Sequence, residues 1–195
     1  MGAMLSNQYL WAFINALVLC AALPLIGTIV NVVTDYGIGG LITLITGNPN
    51  IYYVFHNYIC APGVVVHELS HTIAAIITLA HIDKVELYKK SDKDSTLGGV
   101  EFTTSGGIIL SCLQLTVLAC APVITGLEAV YGYYFLITTY ELNIFVLILL
   151  TYLVICIIIH MTMSPQDIKL YIRGIPLFFL IFFVLSLMVS KGYHQ

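Results

Sequence analysis

His67, Glu68 and His71 form a group of ionisable residues inside a strongly apolar segment. Residues four apart lie on one face of an α-helix, so both imidazoles can bind the same metal ion. Glu68 points close to that face, where it can accept a proton from a water molecule at the metal. The flanking residues 61–66 and 72–77 carry no charge, and ionisable residues in such a segment need a functional or pairing reason. The spacing therefore predicts a metal site, and the alternative is a pair of structural histidines bound to neighbouring helices.

A third ligand is expected, because hydrolytic zinc sites usually combine three protein ligands with one open position. Asp167 follows Pro165, which ends a helix near a membrane face. A helix-capping role is the alternative for this aspartate, but the two histidines need a further ligand, which favours the metal-binding role. His160 is expected to form a hydrogen bond to another helix, and His81 lies ten residues beyond His71, about 15 Å along a helix. The remaining candidates are predicted near outer helix ends: His56, Glu128 and Glu141.

The composition predicts an integral, multi-pass membrane protein, since 59% of the 195 residues are hydrophobic and only 9% are charged. We expect one membrane domain over residues 1–195, with the lipid bilayer as its surroundings. The net charge of −3 gives no indication of a nucleic-acid partner, and the oligomeric state is left open. Five cysteines lie in or beside apolar stretches and are interpreted as buried packing residues rather than disulfides or metal ligands: Cys20, Cys60, Cys112, Cys120 and Cys156.

Five apolar segments approach or reach the ~20 residues that cross a bilayer, which predicts an all-α polytopic fold. They run from about Leu10 to Val33, Ala61 to Ile82, Gly106 to Leu127, Leu142 to Met163, and from near Ile168 to Val189. Residues 37–45 are apolar but short and rich in glycine, so a re-entrant piece and a capping loop both remain open.

The basic residues predict the orientation. If the five segments cross in turn, six of the seven Lys and Arg residues lie on one side, which is then cytoplasmic, as is the N-terminus. These six are Lys84, Lys89, Lys90, Lys93, Lys169 and Arg173, and Lys191 lies on the opposite side. The expected location is the cell membrane.

The loop from Asp83 to Thr104 is the largest polar region. Val85–Tyr88 and Val100–Thr103 alternate in polarity on either side of a charged turn, which is typical of a β-hairpin. A solvated linker between two helices is the other interpretation, and the sequence leaves both open.

Residues 61–173 resemble the site-2 protease family of intramembrane zinc metalloproteases. The three core helices of that family carry an HExxH motif, a GPxxN-like motif and an NPxDG or LDG motif. The corresponding residues are His67–His71, Ala121–Thr125 and Ser164–Ile168. Three positions depart from the family pattern, because Thr125 and Ser164 replace asparagines and Ile168 replaces a glycine, so the chain resembles a divergent, minimal member.

The resemblance implies a three-helix metalloprotease core followed, after its first helix, by a small sheet. It implies that Zn²⁺ is held by His67, His71 and Asp167, and that Glu68 is the catalytic base. Pro122 and Thr125 would then position the substrate.

Three hypotheses about function follow. The first is a zinc endopeptidase that cleaves in or near a transmembrane segment of another membrane protein. The alternative is a non-enzymatic metal-binding membrane protein, a zinc sensor or transporter, although a transporter needs a chain of polar residues and the ionisable ones here gather at one level. The third is a structural membrane subunit whose motif is accidental.

Overall fold

A computed structural model describes residues 2–89 and 97–192, and this part of the chain is mostly helical with one small sheet. The α-helices are α1 (Gly2–Asn31), α2 (Gly39–Thr46), α3 (Pro49–Val54), α4 (Ala61–Ile77), α5 (Ile108–Thr139), α6 (Ile144–His160) and α7 (Pro165–Gly192). Two π-helical segments, Val32–Ile38 and Phe55–Ile59, follow α1 and α3, and the strands are β1 (His81–Glu86) and β2 (Gly99–Thr103).

Three helices in the described ranges are long and apolar enough to cross a membrane: Gln8–Thr46, Ile108–Thr139 and Pro165–Val189. Pro49–Ile59 and Ala61–Ile77 pass the same criterion together, but they meet at a 53° bend, so they form a fourth span only as a broken helix. Helix α6 is apolar and has 17 residues. These helices agree with a polytopic membrane protein.

Several predicted boundaries were wrong. The first helix does not stop at Val33, because the π-helical segment carries it on to Thr46, and residues 37–45 are therefore helical. The helix over residues 49–59 was not predicted. Helix α5 continues to Thr139 instead of Leu127. The start of the last helix, which the sequence placed only near Ile168, lies at Pro165.

Helix α4 ends at Ile77, five residues before the predicted Ile82, because a Schellman motif closes it. The amides of Leu79 and Ala80 donate to the carbonyls of Ile76 and Ala75, and Leu79 adopts a left-handed conformation with φ 60°. Glycine usually occupies this position, and its absence concealed the helix end in the sequence.

The β-hairpin is confirmed, and the interpretation as a linker was wrong. Strands β1 and β2 pair antiparallel, with Val85 opposite Val100 and Ile82 opposite Phe102. The first strand runs from His81 to Glu86 instead of from Val85 to Tyr88, so Leu87 and Tyr88 lie outside it. The predicted turn, Lys89–Thr96, lies outside the described residues except for Lys89. Ile82 and Phe102 pack against a buried cluster from α4, α5 and the loop after α4 (Ala74, Ala75, Ala80, Leu118 and Ala121), which fixes the hairpin beside these helices.

Two helix crossings require glycine. At Gly63 in α4 a Cβ atom would collide with the backbone carbonyl of Cys156 in α6. At Gly174 in α7 it would collide with Thr116 in α5. Small residues allow helix backbones to approach closely where lipid provides no hydrophobic driving force, so these contacts hold α4 against α6 and α7 against α5.

Candidate metal centre

His67, His71 and Asp167 come together where α4 meets the start of α7. The two Nε2 atoms of the histidines are 3.2 Å apart. Asp167 places Oδ1 at 3.5 Å from Nε2 of His71 and Oδ2 at 4.0 Å from Nε2 of His67. His71 and Asp167 are buried, with 7% and 5% of their surface exposed. Among the described residues this is the only group of three or more His, Cys, Asp or Glu side chains that can share one metal ion.

Both imidazole rings are oriented by backbone carbonyls from other helices. Nδ1 of His67 lies 2.7 Å from the carbonyl oxygen of His160, and Nδ1 of His71 lies 2.9 Å from that of Leu118. A carbonyl oxygen only accepts, so each Nδ1 carries the proton and donates it. Each Nε2 is then left with a lone pair, which is the arrangement that metal-binding histidines use.

Pro122 explains why the carbonyl of Leu118 is available. In a regular helix this carbonyl accepts from the amide four residues later, but that position is Pro122, which has no N–H. His71 supplies the missing donor. The same arrangement occurs away from the centre, where Pro24 in α1 leaves the carbonyl of Cys20 to accept from the hydroxyl of Tyr171. Side-chain donors from neighbouring helices thus satisfy backbone groups that water cannot reach.

The carbonyl of His160 is available because α6 ends at this residue. The carbonyls of the last helical turn lack partners within the helix. The amide of Ser164, four residues later, donates instead to Oδ2 of Asp167 at 2.8 Å. His67 therefore takes the free carbonyl of the helix end.

Asp167 is held by a capping box at the start of α7. Its amide donates to Oγ of Ser164 at 3.1 Å, while its Oδ2 accepts from the amide of Ser164. Pro165 occupies the first helical position, where the missing N–H has no cost. The capping role and the position beside the histidines, which the sequence analysis treated as alternatives, occur together in one side chain.

The three side chains fit a bound metal ion. The lone pairs on the Nε2 atoms of His67 and His71 and the carboxylate of Asp167 are all acceptors, and their ligand atoms lie within 4.8 Å of one another. Acceptors that face each other are unfavourable unless a proton or a metal cation lies between them. A tetrahedral ion with nitrogen and oxygen ligands needs ligand atoms about 3.3 Å apart. The 3.2 Å between the two Nε2 atoms and the 3.5 Å between Nε2 of His71 and Oδ1 of Asp167 are close to this value, and the 4.0 Å between Nε2 of His67 and Oδ2 of Asp167 is longer.

Glu68 lies beside this group and is not part of it. It follows the ligand His67 in α4 and is half-buried. Its side chain lies under the loop that leads into β2 and comes close to Gly98. A Cβ atom added at Gly98 would be 2.7 Å from Cγ of Glu68 and 2.8 Å from the carbonyl of Glu86. The hairpin thus covers Glu68 at the centre.

Other predicted candidates have different surroundings. His81 is exposed in β1, with Nε2 3.6 Å from Oδ1 of Asp83, and Glu128 and Glu141 are exposed. Pro122 is buried, and Thr125, on the same face of α5, is half-buried. A direct role of these two in positioning a substrate stays a prediction, whereas Pro122 has the orienting role described above.

His160 was expected to bond to another helix through its ring, and this was wrong. Nδ1 of the ring lies 3.0 Å from the carbonyl of Cys156 in the same helix, and it is the His160 carbonyl that contacts another helix. His56, expected near an outer helix end, packs its ring against His160 with centroids 4.5 Å apart.

Comparisons of the chain with protein-family models, with curated proteins and with solved structures gave no match.

Proposed function

We propose that this protein is a zinc-dependent intramembrane endopeptidase, a divergent and minimal member of the site-2 protease family. It hydrolyses a peptide bond in or near a transmembrane segment of another membrane protein. The observation that carries the proposal is the largely buried group of His67, His71 and Asp167, with Glu68 next to His67 in α4, on apolar helices. Helices α4, α5 and α6, together with the start of α7 that carries Asp167, would correspond to the family's core, and the hairpin follows α4 as it does in that family.

Zinc is the proposed ion because two imidazoles and one carboxylate are the ligands of many hydrolytic zinc sites. His67, His71 and Asp167 would hold it. When bound, zinc supplies a Lewis acid that polarises the scissile carbonyl and makes the attacking water more acidic.

Glu68 is the proposed general base and acid. It removes a proton from the attacking water as the new C–O bond forms, and it passes that proton to the leaving amine nitrogen as the C–N bond breaks. The contact of the loop at Gly98 with this side chain supports the role, because it restricts where the carboxylate can lie next to the metal ligands.

The hairpin is the proposed guide for the substrate. A transmembrane helix presents no free amides, so the substrate must unwind before its peptide bond can be attacked. Strands β1 and β2 form a two-stranded sheet in the described part of the chain, so each has an outer edge that can pair with an extended segment.

We propose that the hairpin side of the membrane is cytoplasmic. The exposed part of the hairpin is charged, and Nζ of Lys84 lies 2.9 Å from Oε1 of Glu86. The hydrogen bond and the charge of Lys84 lower the pKa of the Glu86 carboxyl, as expected for a water-exposed ion pair.

The proposal is tested with purified protein in detergent and a labelled transmembrane peptide. Asp167→Asn should abolish zinc binding at the centre formed by His67, His71 and Asp167, and with it cleavage. Ser164→Ala is the matched control, because it removes the hydroxyl of the same cap and keeps the carboxylate. It should cost about 0.5–2 kcal/mol of stability and retain zinc and cleavage. If Asp167→Asn bound zinc and cleaved as the parent does, the proposal would be wrong.

A non-enzymatic metal-binding protein is the second candidate function. One observation favours it: His56 and His160 extend the line of ionisable residues beyond the metal centre, where the sequence had indicated a single level. Zinc transport by vesicles containing the protein, together with absence of peptide cleavage, would support this candidate over the protease.

A further inference from the structure

The ring of His160 carries a buried polar atom without a partner. His160 is 8% exposed, and its Nε2 is the one buried side-chain nitrogen or oxygen in the described ranges that forms no hydrogen bond. Nδ1 of the same ring donates to the carbonyl of Cys156 at 3.0 Å, so Nε2 has a lone pair rather than a proton. Buried polar groups are nearly always paired, and an exception of this kind indicates a missing donor or cation.

His56 offers a second lone pair beside it. The two ring centroids are 4.5 Å apart and the planes are inclined by 42°. Nδ1 of His56 lies 2.8 Å from Oδ1 of Asn57, an acceptor, so the proton is on Nδ1 and Nε2 is free to bind a cation. The ring separation is similar to that of His67 and His71, whose centroids are 4.9 Å apart.

We propose that His56 and His160 form a second binding site, for a divalent transition-metal cation such as Zn²⁺, next to the centre formed by His67, His71 and Asp167. Neutral imidazole nitrogen is a good ligand for such ions and a poor one for Mg²⁺ or Ca²⁺. Two protein ligands form fewer bonds to the ion than three, so this site binds more weakly than the three-ligand centre.

The surroundings of the pair favour a cation. The ring of Tyr52 lies 5.6 Å from that of His56, and its hydroxyl donates to Oδ1 of Asp35 at 2.8 Å. The exposed Asp35 is thus linked to the ring of His56 through Tyr52. Asp35 and His56 each lie in a π-helical segment, a feature frequent at functional sites.

The two sites adjoin each other and can be emptied separately. The backbone carbonyl of His160 receives the hydrogen bond from His67, whereas the proposed second site uses only the His160 ring. Substitution of that ring keeps the carbonyl, so it should leave the main centre intact.

The test is a titration of purified, metal-free protein with Zn²⁺. The parent should bind two equivalents, one tightly and one more weakly. His67→Ala should lose the tight equivalent and retain the weak one, and addition of His56→Ala or His160→Leu should then abolish the weak one. His81→Ala, which removes an exposed histidine on the hairpin, is the matched control and should keep both equivalents.

Each failure has a separate meaning. If His67→Ala binds no zinc, the second site is wrong and the main centre stands. If His67→Ala binds as the parent does, the main centre on which the proposed function rests is wrong. The melting temperature of each variant is measured to show that it folds. If His160→Leu does not fold, His56→Ala tests the second site instead, because His56 is only half-buried. Retention of the weak equivalent in the His67→Ala, His56→Ala double variant would overturn the inference.

Discussion

At the scale of single residues, Pro122 and His71 are linked through one carbonyl group. The absence of an N–H at position 122 leaves the oxygen of Leu118 free, and Nδ1 of His71 donates to it at 2.9 Å. That bond selects the tautomer whose Nε2 faces His67 and Asp167. A residue with no polar side chain thus determines how a metal ligand is oriented.

Pro122→Ala should therefore weaken metal binding. The restored amide can donate to Leu118 within α5 and compete with His71, and loss of an orienting partner typically lowers metal affinity by ~10–100-fold. Stability of the metal-free protein should be maintained or rise, because an internal helix bond is gained. The measurement is competition for zinc against a chelator of known affinity, with thermal melting of the metal-free form.

Pro24→Ala is the matched control for this experiment. It restores the equivalent bond to Cys20 in α1, where the side-chain donor is Tyr171 and no metal ligand is involved. Zinc affinity should be unchanged in this variant. An unchanged zinc affinity in Pro122→Ala as well would show that the carbonyl of Leu118 does not orient His71.

At the scale of elements, the hairpin and helix α4 meet at Glu68. The loop entering β2 lies so close to this side chain that position 98 has room only for glycine. The packing of Ile82 and Phe102 on the α4–α5 cluster holds the strands in place. The hairpin is thus fixed at the same point where the proposed base lies.

Gly98→Ala should lower cleavage and leave zinc binding unaffected. The added methyl group would stand 2.8 Å from the backbone carbonyl of Glu86 and 2.7 Å from Cγ of Glu68, so either the loop or the carboxylate must move. The readouts are kcat for a labelled transmembrane peptide and zinc stoichiometry on the same preparation. Gly99→Ala, where a Cβ meets no atom within 4 Å, should behave as the parent. Equal rates for the two variants would contradict the role of this contact.

How much the sequence predicted depends on how local each feature is. The spacing of His67 and His71 predicted their shared face because helix geometry alone fixes it. Asp167 could be predicted because a metal site needs a third ligand. The roles of the Leu118 and His160 carbonyls were not predicted, because every residue has a backbone carbonyl and the residue type does not show which one binds a side chain. A proline four residues after Leu118 was the available signal, but only the packing of α4 on α5 shows which donor uses it.

At the scale of the whole molecule, the orientation in the membrane determines where water and substrate enter. Six of the seven basic residues are expected on the side of the hairpin. Lys169 and Arg173, in the first turns of α7, are exposed near the end that carries Asp167. The metal centre should therefore be reached from the cytoplasm.

Cysteine labelling tests this orientation. A cysteine at Ser91 or Ser95, in a background without the five native cysteines, should not react with an impermeant reagent in intact cells and should react after permeabilisation. A cysteine at Tyr140, in the exposed loop between α5 and α6, is the control and should show the opposite behaviour. Reaction of position 91 or 95 in intact cells would reverse the assignment and move the water entrance to the other face.

Glu68→Gln tests the central claim most directly. The substitution is nearly isosteric, and glutamine cannot accept the proton of the attacking water. Zinc stoichiometry, melting temperature and cleavage of a labelled transmembrane peptide are measured on one preparation. The account predicts full zinc occupancy, a near-parental melting temperature and a cleavage rate lower by ~10²–10⁴-fold. Cleavage within a few-fold of the parent would contradict it, and so would loss of the bound zinc.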